Sequence, residues 1–210
     1  MLYLLQQALN GLHSGALYAL LALGYALTNG VLHRTNLAHG AIFAFSGQTL
    51  ILAAVFGYQA LWLTLPAAVA LGMAAAFAYA ALAARVLSRF VFAPLSARSP
   101  NAIAVATLGV LIVLTETGRI AADTHDLWLP PMLARPVAFA QGGGFRATLT
   151  LIQILDCAVV LAAIALGTAA LARSRFGRDW RAVRDDPVAA ALCGVDADAV
   201  RGGAVLGGAL

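Results

Sequence analysis

Lysine is absent from this chain: every one of its 13 basic residues is arginine. A phosphate-binding loop of the GxxxxGK[ST] kind needs its lysine on the nucleotide phosphates, and Schiff-base chemistry needs a lysine amine. Both are excluded. Charge of any kind is scarce, at 10% of residues against 62% hydrophobic, and the mean hydropathy is +0.87. Soluble domains run at roughly 45–50% apolar and about 25% charged. The composition is that of an integral membrane protein. Cysteine is nearly absent too. Cys157 falls in an apolar stretch and Cys193 in an arginine-rich loop, without CxxC spacing, so neither suits a disulfide or a metal site. His13, His33 and His125 are scattered, and no metal or other cofactor is expected. The net charge of +4 needs no nucleic-acid partner, because a positive-inside bias accounts for it.

A helix needs about 20 mostly apolar residues to cross the hydrocarbon core. Five stretches qualify: 9–32, 38–57, 59–84, 101–118 and 147–171, with a sixth apolar run beginning near Val200. The expected fold is all-α and polytopic, with five complete spans and the start of a sixth. The first stretch is too long and wrongly flanked for a cleaved signal peptide. Arg85, Arg89 and Arg98 follow the third span; Arg173, Arg175, Arg178, Arg181 and Arg184 follow the fifth. Two spans separate these clusters, so both lie on one side, joined by Arg34 and Arg201. Only Arg119, Arg135 and Arg146 remain opposite, which makes the crowded side cytoplasmic and the N-terminus periplasmic. Small residues at Gly11, Gly15, Ala19, Ala22, Ala26 and Gly30 line one face of the first span, where they would let another helix approach closely.

The stretch 173–196 has more order than a topological anchor needs. Asp186 is a good N-cap, Pro187 suits the first helical position, and Gly194 sits where a helix would end in a left-handed cap. Ahead of them Trp180 and Val183 are three apart, while Arg178, Arg181 and Arg184 repeat every third residue. Two short capped helices, the second rich in alanine, make a knob that a protein groove could receive. A loop binding anionic headgroups through its arginines is the simpler alternative.

The segment FGRDWRAVRDDPVAAALCGVD resembles the cytoplasmic loop of permease subunits from ABC importers for branched-chain amino acids. The matching residues are Gly177, Arg178, Arg181, Ala182, Asp186, Ala190, Gly194, Val195 and Asp196. GALYALLALGYALTNGVLHRTNLAHGA resembles that family's first span and its N-[FLM]-A-H-G signature, and SPNAIAVATLGVLIVL is similar to its fourth-span region. The match runs through nearly the whole chain in order. Permeases for urea and short-chain amides are closely similar, so the solute does not transfer. The resemblance implies a single permease domain over 1–210, incomplete at its C-terminus, in a bacterial inner membrane. Its partners would be a second permease subunit, separate ATPase subunits seated on 173–196, a periplasmic solute-binding protein and membrane lipid. The permease itself would not be an enzyme. A secondary transporter working without an ATPase is the other reading.

TNLAHG, residues 35–40, stands where a loop enters the second span. Asn36 is expected to cap orphan N–H groups, Gly40 to permit a close backbone crossing, and His39 to hydrogen-bond a neighbouring helix. Ser99 with Pro100 would open the fourth span. Near that span's outer end Glu116 and Arg119 are three apart and could pair. Asp156 lies inside the fifth span, at a position the family keeps apolar, and Glu116 is a similar departure; both are possible path-lining residues. Proline and glycine preclude a long helix in 120–146, a connector or landing surface with Trp128 as its anchor.

Overall fold

The computed structural model describes residues 2–95, 100–122, 129–142 and 144–210. In chain order these form α1 (Leu2–Leu32), α2 (His39–Gln59), α3 (Leu65–Leu87), a π-helical turn (Ser88–Phe92), α4 (Ala93–Leu95) and α5 (Pro100–Ala122). There follow β1 (Pro136–Gly142), β2 (Phe145–Thr150), α6 (Leu151–Arg173), α7 (Arg175–Asp185), α8 (Pro187–Leu192) and α9 (Ala197–Ala209). Among the described residues, five helices are long and apolar enough to cross a membrane: Leu2–Leu32, His39–Gln59, Leu65–Leu95, Asn101–Ala122 and Leu151–Arg173. Only 11% of the most apolar window of α1, and 6% of that of α6, is buried by the chain itself. Such helices need hydrocarbon or other protein around them. Ser99 and Trp128 lie outside the described residues.

Two compact units divide the chain, Met1–Leu23 with Pro130–Ser174, and Gly24–Leu129 with Arg175–Leu210. The first unit contains the only strands among the described residues. β1 and β2 pair antiparallel from Pro136↔Thr150 to Gly142↔Phe145, with an irregularity between Ala138 and Ala140. Gln6 of α1 ties into this hairpin through its side-chain amide, which donates to Thr148 O at 3.0 Å and accepts from Thr148 N at 2.7 Å. A side chain thereby supplies what a third strand would supply to an edge. The chain passes from β2 into α6 without a linker, through a capping box. Thr150 Oγ1 accepts from Gln153 N, and Gln153 Oε1 accepts from Thr150 N at 2.9 Å. The fifth span therefore begins at Leu151 and not at 147, because 146–150 belong to a strand.

In the second unit α2 and α3 form a close antiparallel pair. A Cβ on Gly72 would stand 2.5 Å from Leu50 O and 3.1 Å from Ala54 Cβ, so only glycine lets the backbones come this near. α1 and α9 cross where Gly24 and Gly208 meet, each blocking the space of a side chain on the other. The core cluster of Ala38, Ile42, Ala84, Leu87, Phe92, Ile103 and Val205 collects residues from α2, α3, the π turn, α5 and α9. The expected packing stripe on α1 is mostly a different face: Gly11 and Gly15 meet nothing within 4 Å, and Ala19, Ala22 and Ala26 are exposed. The buried side runs through Thr28 and Val31 instead. Of the stripe only Gly30 is covered, by Trp180.

Candidate functional site

The loop 173–196 is ordered from end to end by local capping. Asp186, with extended backbone, accepts on Oδ1 from Val188 N at 2.8 Å and Ala189 N at 3.0 Å, and so starts α8. Gly194 ends it at φ +83°, where a Cβ would strain the backbone. Gly194 N bonds Ala191 O and Val195 N bonds Ala190 O, both at 3.0 Å, the paired bonds of a Schellman motif. Asp196 then caps α9 through Asp198 N and Ala199 N.

Within the same unit, α7 is keyed onto the end of α1 and onto α9. Gly177, Trp180 and Val183 form its buried edge. The Trp180 indole donates to Leu27 O at 3.0 Å, and its ring takes the place a side chain at Gly30 would need. Phe176 lies against Gly203 in the same manner, 2.9 Å from where a Cβ would stand. His33, at φ 49° just past the last turn of α1, donates from Nε2 to Arg184 O at 3.0 Å. The Arg184 guanidinium lies 5.3 Å from the Trp180 ring centroid. Sequence reasoning missed Gly30, His33, Phe176 and Gly203 as the seat of this helix.

The predicted loop residues fall into two groups. Gly177 and Ala190 are buried, the Ala190 methyl against the chain itself. Arg178, Ala182, Asp186 and Gly194 are exposed, and Arg181 is half-buried. The outward face of α8 carries Val188, 70% exposed, and Leu192, 85% exposed, four positions apart on one side. Neither was singled out from sequence.

TNLAHG sits in the same unit. Asn36 is buried, and its Oδ1 accepts from Ala38 N at 3.1 Å, closing the turn that leads into α2. Leu37 N donates to Thr107 Oγ1 at 3.2 Å, while the Thr107 hydroxyl donates to Ile103 O, so the turn is fastened to α5. His39 is buried and meets the Tyr25 ring edge-on, with centroids 5.8 Å apart. Gly40 does not make the anticipated close crossing. A methyl there would meet nothing within 4 Å, whereas one at Gly24, Gly30, Gly72 or Gly208 would collide with a neighbouring element.

Glu116 Oε2 accepts from Arg119 at 2.9 Å, and both side chains are more than half exposed. It forms a surface pair along one helix, of the kind worth about 0.3–0.5 kcal/mol. Asp156 is differently placed. In the first unit its Oδ2 lies 3.4 Å from His13 Nε2, pairing α6 with α1 between two membrane-length helices. Gln6, Asn10 and His13 follow one another at helical spacing, and Gln6 donates to Asn10 at 3.0 Å. A polar file therefore runs along α1 from Thr148 of the hairpin to Asp156.

Residues 7–210 match the family described as branched-chain amino acid transport system / permease component. The chain is 28% identical over 204 residues to the high-affinity branched-chain amino acid transport system permease protein LivH of Escherichia coli K12, covering 95% of this chain and 65% of that protein. LivH of Salmonella typhimurium matches equally well. The BraD permease protein of the same description from Pseudomonas aeruginosa is 27% identical, over 92% of this chain and 63% of its own length. The chain thus spans somewhat less than two thirds of the length of these relatives. No solved structure matches it.

Proposed function

The chain belongs to the permease-component family of branched-chain amino acid transport systems, and from that premise we propose that it is a membrane subunit of an ATP-driven importer for branched-chain or related apolar amino acids. It would act as one permease domain over 1–210. ATP hydrolysis would belong to separate ATPase subunits, solute delivery to a periplasmic binding protein, and the other wall of the path to a second permease subunit. The names of LivH and BraD, which describe high-affinity branched-chain amino acid transport, support the solute class.

The observation that carries this reading is the pair of opposed faces on the 173–196 loop. One face is locked onto α1 and α9 through Trp180, Phe176 and Val183, and the other presents Val188 and Leu192 to the outside. An element fixed rigidly to the bundle and apolar on its free side suits the transmission of a push from a separate motor. The arginine distribution supports placing this face in the cytoplasm and the N-terminus in the periplasm. Exposed Gly11, Gly15 and Ala19 on α1 suit close packing against the second permease subunit. Asp156, held by His13, would line the path, since an ionisable group inside the bilayer is placed toward a bundle interior or a water-filled cavity. Glu116 is closed on Arg119 and takes the purely local role.

The test is uptake of radiolabelled L-leucine into proteoliposomes carrying the chain with its ATPase, second permease and binding-protein partners. Uptake should require ATP on the ATPase side and the binding protein on the other. Uptake that persists without ATP would make the chain a secondary transporter.

A further inference from the structure

A cavity of about 400 Å³ opens in the second unit where α1 ends, α3 passes into the π turn, and α5, α8 and α9 begin. Its lining has two distinct halves. Three arginines, Arg34, Arg89 and Arg201, line one half together with Ser88 and His33. The only carboxylate among the described lining residues, Asp198, is already bound to Arg201 at 2.9 Å. Arg34 and Arg89 make no ion pair among the described residues. The other half is apolar: Leu32 and Ala93 keep free surface, backed by Val31, Phe92, Ile103 and Val205 of the buried core.

The π turn contributes to both halves. Ala93 N bonds back to Ser88 O, a five-residue step that interrupts the α-helical ladder. Ser88 and Arg89 at one end of that step, and Phe92 and Ala93 at the other, all line the cavity. Such single π turns inside α-helices are concentrated at functional sites.

We propose that this cavity binds one anionic phospholipid of the cytoplasmic leaflet, with its phosphate among Arg34, Arg89 and Arg201 and the start of one acyl chain against Leu32 and Ala93. The leaflet rests on the orientation given under Proposed function; the chemistry of the cavity does not. Four lines of geometry converge on this occupant. Excess positive charge calls for an anion, and guanidiniums bind phosphate oxygens in pairs. The apolar wall gives a soluble inorganic anion nothing, whereas a lipid fills both halves at once. The cavity lies at the ends of membrane-length helices, the depth at which headgroups sit. Its volume falls in the range of small-molecule sites. Pro187, the first residue of α8, also lines it, so the bound lipid touches the base of the loop proposed to carry the ATPase contact. Lipid occupancy would therefore stiffen that base, making the motor connection dependent on anionic lipid.

Native mass spectrometry of the whole chain, released from nanodiscs containing phosphatidylcholine and phosphatidylglycerol, reads the proposal without relying on transport. Wild type should retain one phosphatidylglycerol in preference to phosphatidylcholine. Arg89→Gln should weaken retention about tenfold, and Arg34→Gln with Arg89→Gln further, as expected for loss of charge-assisted bonds. Arg175→Gln removes the same charge from an exposed arginine outside the cavity and should leave retention unchanged. Equal loss in Arg175→Gln would reduce the effect to diffuse surface attraction and overturn the proposal. Displacement of the lipid by millimolar inorganic phosphate would overturn it in favour of a soluble anion. Labelling of native Cys193, which is exposed, by a membrane-impermeant maleimide reads the orientation separately. Labelling from the periplasmic side would move the site to the other leaflet and remove the support for a cytoplasmic motor, while leaving lipid retention intact.

Discussion

The indole of Trp180 occupies the space that a side chain on Gly30 would need: a Cβ at position 30 would stand 2.6 Å from Cζ2 and 2.9 Å from Cη2 of the ring. The same indole N–H reaches Leu27 O one turn earlier on α1. A helix outside the membrane-length segments is thus anchored by its largest side chain in a notch that glycine leaves open. This coupling between α7 and α1 sets the first prediction.

Gly30→Val should lift Trp180 from its seat, because overpacking of this kind costs about 1–3 kcal/mol and the obstacle is a rigid ring. Trp180→Phe loses the bond to Leu27, at about 1 kcal/mol, and leaves part of the notch beside Gly30 unfilled. Proteolysis of the folded chain in nanodiscs checks both. Cleavage within α7 should rise strongly in Gly30→Val and slightly in Trp180→Phe, with membrane insertion unchanged in each. Equal protection in all three proteins would remove the notch as an anchor.

The caps of α8 make a second case. Asp186→Ala removes the acceptor for two backbone N–H groups and should destabilise the loop by about 1 kcal/mol, with Asp186→Asn recovering most of it. Gly194→Ala places a side chain at φ +83° and should cost about 1 kcal/mol. Amide exchange across 186–195 is the measurement, and acceleration should stay local to this stretch.

Ala190 and Leu192 differ by two positions and should respond in opposite ways. Ala190 is 5% exposed, so Ala190→Leu must displace neighbours and should lower stability by about 1–3 kcal/mol. Leu192 is 85% exposed, so Leu192→Asp should leave the thermal midpoint of the isolated chain unmoved. With ATPase partners present the order reverses in kind. Leu192→Asp, alone or with Val188→Asp, should abolish co-purification of the ATPase, because a carboxylate buried in that contact would lack a partner. Retention of the ATPase by the double variant would place the motor contact elsewhere.

These contrasts also separate what was legible in the sequence from what was not. Asp186, Pro187 and Gly194 were readable because a cap is decided within three to five residues of itself. The five apolar helices were readable because hydrocarbon imposes length and composition together. Trp180 on Gly30 was not, because the two lie far apart in the chain and Gly30 looked like every other member of a small-residue file. The structure uses that one glycine and leaves Gly11 and Gly15 open. The β1–β2 hairpin was hidden for another reason: Ala147 and Leu149 point inward and are buried, so the strand merged with the apolar run of α6. Gly40 misled because glycine in the first turn of a helix reads as a crossing point, and here the space beside it is open.

Asp156 decides whether the polar file on α1 serves transport or only packing. A carboxylate held inside a membrane helix costs about 2.5–3.5 kcal/mol on insertion scales when it stands at the centre. The His13 ring nitrogen 3.4 Å away gives Asp156 a polar partner that offsets part of that cost. Replacing it by leucine removes the cost whatever Asp156 does, so Asp156→Leu should insert at least as well as wild type and resist heat no less. If the residue only bridges α6 to α1, uptake in this variant should be preserved. If it lines the path, leucine uptake should fall by an order of magnitude or more, as expected for losing about 1.5–3 kcal/mol of a charged hydrogen bond, while stability holds or rises. Asp156→Asn keeps a hydrogen-bond acceptor for His13 without the charge. It should restore the α1–α6 contact but not the uptake, and recovery of both would return Asp156 to a purely structural role.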